Sequence, residues 1–146
     1  MNTPNALEDL KVNLKLKLAT LWASFMFLYT YVDYFHLYMP GKIEELLQGH
    51  VFEFDITQGF ILLALVFVTI PVLMIFFSVA LPAKINRRTN LIVATLYIPY
   101  MLFNLAGETW IHMVFGAVVE VALLGLIIGY AWKWPRESSE KQAFAK

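Results

Sequence analysis

Residues 57–81 read TQGFILLALVFVTIPVLMIFFSVAL and contain no Asp, Glu, Lys or Arg. A hydrocarbon layer about 30 Å thick is crossed by roughly 20 apolar residues in a helix, so this stretch is long enough to span one. Three more stretches are of the same kind: about Leu18–Met39, about Leu91–Leu105 and about Trp110–Trp134. The third is short, and spans if the bilayer thins or if Asn90 and Ala106 extend it. The fold class read from this pattern is all-α: a four-helix transmembrane bundle, forming a single membrane domain over residues 1–146. Pro71 and Pro99 fall inside two of the spans. Each removes one backbone donor and frees the carbonyl four residues earlier, Phe67 and Thr95, which a neighbouring helix must then satisfy.

Composition narrows the function classes. Hydrophobic residues make up 60% of the 146 residues and charged residues 15%, against roughly 45–50% and 25% in a soluble domain. Mean hydropathy is +0.64. Lys plus Arg equals Asp plus Glu at 11 each, so there is no basic face for nucleic acid. The absence of Cys removes thiolate chemistry, disulfides and Cys-bound zinc.

Charge sets orientation. Lys11, Lys15 and Lys17 precede the first span; Lys84, Arg87 and Arg88 separate the second and third; Lys133, Arg136, Lys141 and Lys146 follow the fourth. The opposite side has only Lys42, with Glu44, Glu45, Glu53, Asp55 and Glu108. The positive-inside rule puts both termini in the cytoplasm, with Tyr38, Trp110, Trp132 and Trp134 as interfacial rings. The first span is too long and too polar at its end for a signal peptide. In PGKIEELLQGH (Pro40–His50), Ile43, Leu46 and Leu47 recur at helical spacing between a Pro-Gly start and a Gly stop. That predicts a short amphipathic helix in the first outer loop. Leu7, Leu10, Leu14 and Leu18 predict an inner-surface helix over residues 7–17. The first six residues and Glu137–Lys146 read as frayed.

Ionisable groups at hydrocarbon depth cost at least ~2.5–3.5 kcal/mol on insertion scales and are functional suspects. Asp33 and Glu120 are two. Counted from Met39 and Trp110, Asp33 lies roughly 9 Å and Glu120 roughly 15 Å below the outer interface, with His36 and His112 roughly 3–5 Å down. Trp22, Met26, Tyr29, Asp33 and His36 share one helix face, as do Tyr97, Tyr100 and Asn104, and His112, Gly116 and Glu120. Three polar stripes predict a pocket open to the outer side, with Asp33 and Glu120 at its floor and tyrosines as walls. The predicted ligand-binding residues are Tyr29, Asp33, His36, Tyr100, Asn104, His112 and Glu120. A neutral carboxyl there can bond a tyrosine or a freed carbonyl; a charged one needs a partner, and His36 is one turn away.

A metal set can be drawn from His36, His112, Asp33 and Glu108, but no local ligand spacing supports it, and no metal and no cofactor is assigned. Gly125 and Gly129 have the small-xxx-small spacing of close helix packing. They point away from Glu120, toward a bundle neighbour or a second copy in a homo-oligomer.

The order LWASFMFLYTYVD, IPVLMIFFSVALP, NRRTN, VVEVALL and YAWKWP resembles a bacterial family of uncharacterised four-span inner-membrane proteins, a domain of unknown function. The resemblance covers Leu18 to Pro135. Its specific points are Trp22, Asp33, Pro71, Ser78, Arg88, Asn90, Glu120 and Trp132-Lys133-Trp134; Tyr29 stands where the family pattern has Asn. It implies a multi-pass protein of the bacterial inner membrane. Size and span count are loosely similar to DoxX-like membrane proteins.

The leading expectation is a small integral membrane protein that binds a lipid-like or small apolar molecule in the outer-half pocket. Alternatives are a proton-coupled transporter or channel subunit with Glu120 as proton carrier, an intramembrane enzyme using a carboxylate and a histidine, and a structural or regulatory subunit of a membrane complex. The bilayer is the expected partner, and nucleic acid is not.

Overall fold

The computed structural model describes residues 11–52 and 54–135. Their elements are α1 (Leu14–His36), α2 (Lys42–Leu47), β1 (His50–Val51), β2 (Phe54–Asp55), α3 (Gln58–Ala80), α4 (Ala83–Asn104) and α5 (Ile111–Trp132). The protein is mostly helical. α1 packs against α3 on one flank and α5 on the other, and α4 packs against α5. α3 and α4, joined by a tight turn at Leu81–Pro82, touch little.

Local chemistry sets the helix starts. The side-chain oxygen of Asn13 accepts from the Lys15 N–H at 2.9 Å, and the Thr57 hydroxyl oxygen accepts from the Phe60 N–H at 3.1 Å. Each satisfies one of the donors that a helix start leaves bare. α3 runs through Pro71, and the Phe67 carbonyl that this proline frees accepts from the Tyr97 hydroxyl on α4.

The core lies at mid-bundle. Trp22 and Phe25 of α1 meet Met74 of α3, Tyr97 and Met101 of α4, and Leu124 and Ile127 of α5. Trp22 stands edge-on to Phe25 and Tyr97, with ring centroids 5.8 and 6.5 Å apart. α3 and α5 are each long and apolar enough to cross a membrane. Lys15, Lys17 and Asp33 dilute α1, and Lys84, Arg87 and Arg88 dilute α4.

α4, which carries the stretch Leu91–Leu105, begins at Ala83. The basic run belongs to the helix because Asn86 and Asn90 turn into the core, while Arg87 Nε donates to the Ala131 carbonyl at the end of α5 (3.1 Å). The chain is not purely helical: His50 pairs with Asp55 and Val51 with Phe54 in an antiparallel hairpin. Phe52 turns it at φ 52°, in the left-handed region, and its ring lies 5.7 Å from that of His36. Lys11–Asn13 are not helical, and residues 14–17 open α1 itself rather than a separate surface helix. Leu7 and Leu10, the first six residues and the tail from Glu137 lie outside the described residues. The predicted outer-loop helix is α2, set between Gly41 (φ 86°) and Gly49 (φ 82°), left-handed positions that glycine occupies without strain.

Candidate functional site

The end of the bundle that carries α2 and the hairpin holds a small cavity where α1, α4 and α5 meet. Tyr29, Val32 and Asp33 come from α1, Met101, Asn104 and Leu105 from the end of α4, and Met113, Ala117 and Glu120 from α5. Its volume is about 20 Å³, room for one water-sized group. Close approach of α1 and α5 forms it. A Cβ on Gly116 would lie 2.6 Å from Cγ2 of Val32, so only the missing side chain lets the helices meet there. Glu120 follows Gly116 by one turn, and Asp33 follows Val32 directly. Glycine at 116 therefore sets two carboxyl groups beside one cavity.

The two carboxyl groups differ in cover. Glu120 is 4% exposed, and its Oε1 is buried without a hydrogen-bond partner. Asp33 is exposed, so it stands at the rim and not, as the sequence implied, at the floor. The helical spacing fixed its face, but how far α4 closes over that face is a matter of packing. Tyr29 is braced from both sides: it stacks 6.1 Å from Phe25, and its hydroxyl is 3.3 Å from that of Tyr100. Tyr100 itself stacks on Phe67 at 5.1 Å. Of the seven predicted residues, Tyr29, Asp33, Asn104 and Glu120 line the cavity, and Tyr100 supports Tyr29 from behind.

His36 and His112 do not line it. They sit nearer the helix ends, His112 with its ring 5.9 Å from Trp110. His36 Nδ1 and His112 Nε2 are buried without partners. Beside them the Lys42 ammonium lies 3.7 Å from the carboxylate of Glu108, whose side chain is nearly covered, and 3.3 Å from that of Glu45. This pair ties α2 to the loop before α5, and no spacing in the sequence announces it. Among the described residues, no group of three or more His, Asp or Glu is arranged to hold a metal ion.

A second polar cluster lies at the opposite end, between Trp22, Ser78, Asn86 and Asn90, all fully buried. Asn90 Oδ1 accepts from Trp22 Nε1 at 2.7 Å and from the Ser78 hydroxyl at 3.3 Å. Asn90 Nδ2 donates to the side-chain and backbone oxygens of Asn86, and Asn86 Nδ2 donates to the Ser78 carbonyl. The donors and acceptors close on one another and none titrates, so the cluster locks helices together and has no evident chemistry. The four-residue step from Asn86 to Asn90 was its one visible signal. Nearby, Lys15 donates to the Val79 and Leu81 carbonyls at the end of α3, where a cation is favoured.

Gly125 and Gly129 lie on the uncovered face of α5, with nothing within 4 Å of a Cβ added at either. Among the described residues they take no part in packing.

No curated protein and no solved structure matches this chain. One family model does, over residues 7–140, a range that takes in every helix and both strands described above. The chain belongs to DUF6326, a family of unknown function.

Proposed function

We propose that this is a four-span protein of the bacterial inner membrane, DoxX-like in size, with both termini in the cytoplasm. The same reading makes it the holder of the polar head of a lipid-like molecule. The long helices leave large apolar side chains uncovered on all sides, among them Phe27, Leu62, Leu96 and Phe115. A soluble monomer rarely exposes so continuous an apolar surface. Lys15, Lys17, Lys84, Arg87, Arg88 and Lys133 gather at one end of the bundle and Glu44, Glu45, Asp55 and Glu108 at the other, the asymmetry that sets orientation.

The observation that carries the binding reading is the unpartnered, buried Oε1 of Glu120 beside a cavity whose rim is an uncovered Asp33. A polar atom buried without a partner costs about 1–3 kcal/mol, and a carboxyl left bare at hydrocarbon depth costs more. A ligand group removes both costs. The cavity takes a head group and not a whole molecule, so the apolar body lies along the uncovered helix faces. Transport draws less support, because the face of α5 below Glu120 continues as Leu124, Ile127 and Ala131, all fully buried.

Native mass spectrometry of the protein extracted in its own lipids tests this. A stoichiometric adduct on the wild type, reduced in Asp33→Asn and Glu120→Gln, is expected. Wild-type protein free of any adduct overturns the reading. A second reading, contact with another copy through α5, is favoured by the uncovered Gly125 and Gly129. In it Gly129→Leu dissociates an oligomer and leaves adduct binding unchanged.

A further inference from the structure

We infer that the head group taken by this cavity is a primary ammonium, the cationic end of a lipid-like amine; the inference rests on the binding reading above. Two carboxyl groups, Asp33 and Glu120, and the Asn104 amide face one small space, and among the described residues no Lys, Arg or His lines it. The chain's nearby cation is committed elsewhere, since Lys42 sits between Glu45 and Glu108. Neither Asp33 nor Glu120 forms an ion pair among the described residues. A buried carboxyl without a partner takes up a proton, and one that stays ionised needs a cation beside it. A positive charge entering the cavity is the partner that would hold Glu120 ionised, with Asp33 at the rim to share it.

Size and bonding select the kind of cation. About 20 Å³ admits a compact –NH3+ and excludes a trimethylammonium or a phosphate. An ammonium has three donors and no acceptor. The unsatisfied atom at the floor, Glu120 Oε1, is an acceptor when ionised, and so are the Asp33 carboxylate at the rim and the Asn104 carbonyl oxygen. An anionic head would meet two like charges. An alcohol would satisfy one lone pair and leave the charges unpaired. Because the space opens beside the uncovered Asp33, the carbon bearing the nitrogen can leave toward the apolar flanks.

The test uses the full chain in neutral detergent and four probes: dodecylammonium, dodecyltrimethylammonium, dodecanol and ethylammonium. Dissociation constants are read from tryptophan fluorescence. Dodecylammonium is expected to bind about thirtyfold more tightly than dodecanol or the trimethyl compound, the scale of one desolvated charge pair. Asp33→Asn and Glu120→Gln should each remove most of that preference and leave dodecanol binding unchanged. Asp33 is exposed, so its variant keeps the fold even where the buried Glu120→Gln does not. Ethylammonium equal to dodecylammonium supports the ammonium and assigns it to a free amine. Dodecanol equal to dodecylammonium overturns the cationic head and leaves the pocket standing. No binding by any probe overturns both. Sodium chloride that protects against thermal unfolding as well as ethylammonium chloride, at equal ionic strength, overturns the ammonium in favour of a metal cation.

Discussion

The Tyr97 hydroxyl on α4 donates to the Phe67 carbonyl on α3, the acceptor that Pro71 deprives of its helical donor. The proline creates a polar vacancy at Phe67 in an apolar helix, and a tyrosine thirty residues after Phe67 fills it. α3 and α4 touch little elsewhere, so this bond and the stacking of Phe67 on Tyr100 hold much of that seam. Tyr97→Phe should cost about 1 kcal/mol in unfolding by mixed micelles, given the modest net value of such bonds between membrane helices. Restoring the backbone donor with Pro71→Ala should shrink that cost by half or more. An equal cost in both backgrounds would show that the hydroxyl does not answer the vacancy left by Pro71.

Gly116 is the glycine that packing requires. Gly116→Ala forces a methyl against Val32 and should lower stability by about 1–3 kcal/mol. Gly125→Ala meets open space and should be neutral or stabilising. Val32→Ala in the Gly116→Ala chain should recover most of the loss. Melting temperatures of the four chains in one detergent decide it; equal loss at 116 and 125 contradicts the packing.

Asn90 joins three helices. Its Oδ1 receives both the Trp22 indole and the Ser78 hydroxyl, so Asn90→Ala leaves two buried donors bare and should cost at least about 2 kcal/mol. Ser78→Ala removes the longer bond and leaves Asn90 satisfied by Trp22, so it should cost less than half as much. Denaturant midpoints in the reverse order would refute the network as drawn.

The absence of Cys from the sequence makes topology simple to measure. Single cysteines at Gln48 and Lys133 are the only thiols in their chains. A membrane-impermeant maleimide should label Gln48→Cys in intact spheroplasts, and Lys133→Cys only after lysis. Labelling of both before lysis contradicts the proposed orientation.

The sequence was most legible where one period ran without interruption. Residues 57–81 carry no charge and residues 110–134 are apolar apart from His112, Glu120 and Lys133, and they form α3 and α5 within a residue or two. The 3–4 spacing of polar residues gave the correct faces: Tyr29, Asp33, Asn104 and Glu120 meet at one cavity. What spacing cannot give is distance. The cover over Asp33 depends on how α4 leans on α5, and the surroundings of His36 depend on where a hairpin turned by Phe52 comes to rest. The basic run before Leu91 is helical for a related reason. A run such as NRRTN reads as a loop until the Ala131 carbonyl, 44 residues on, accepts from Arg87 and the Ser78 carbonyl accepts from Asn86.

Below Glu120 the α5 face is sealed by Leu124 and Ile127 against Trp22 and Phe25. A chamber with one door has no direction of its own. On the binding reading proposed above, a head group that enters beside Asp33 leaves beside Asp33, and occupancy follows the concentration at that mouth. Under that reading the site would buffer a molecule, present it or report its presence, and carrying it onward would fall to another protein.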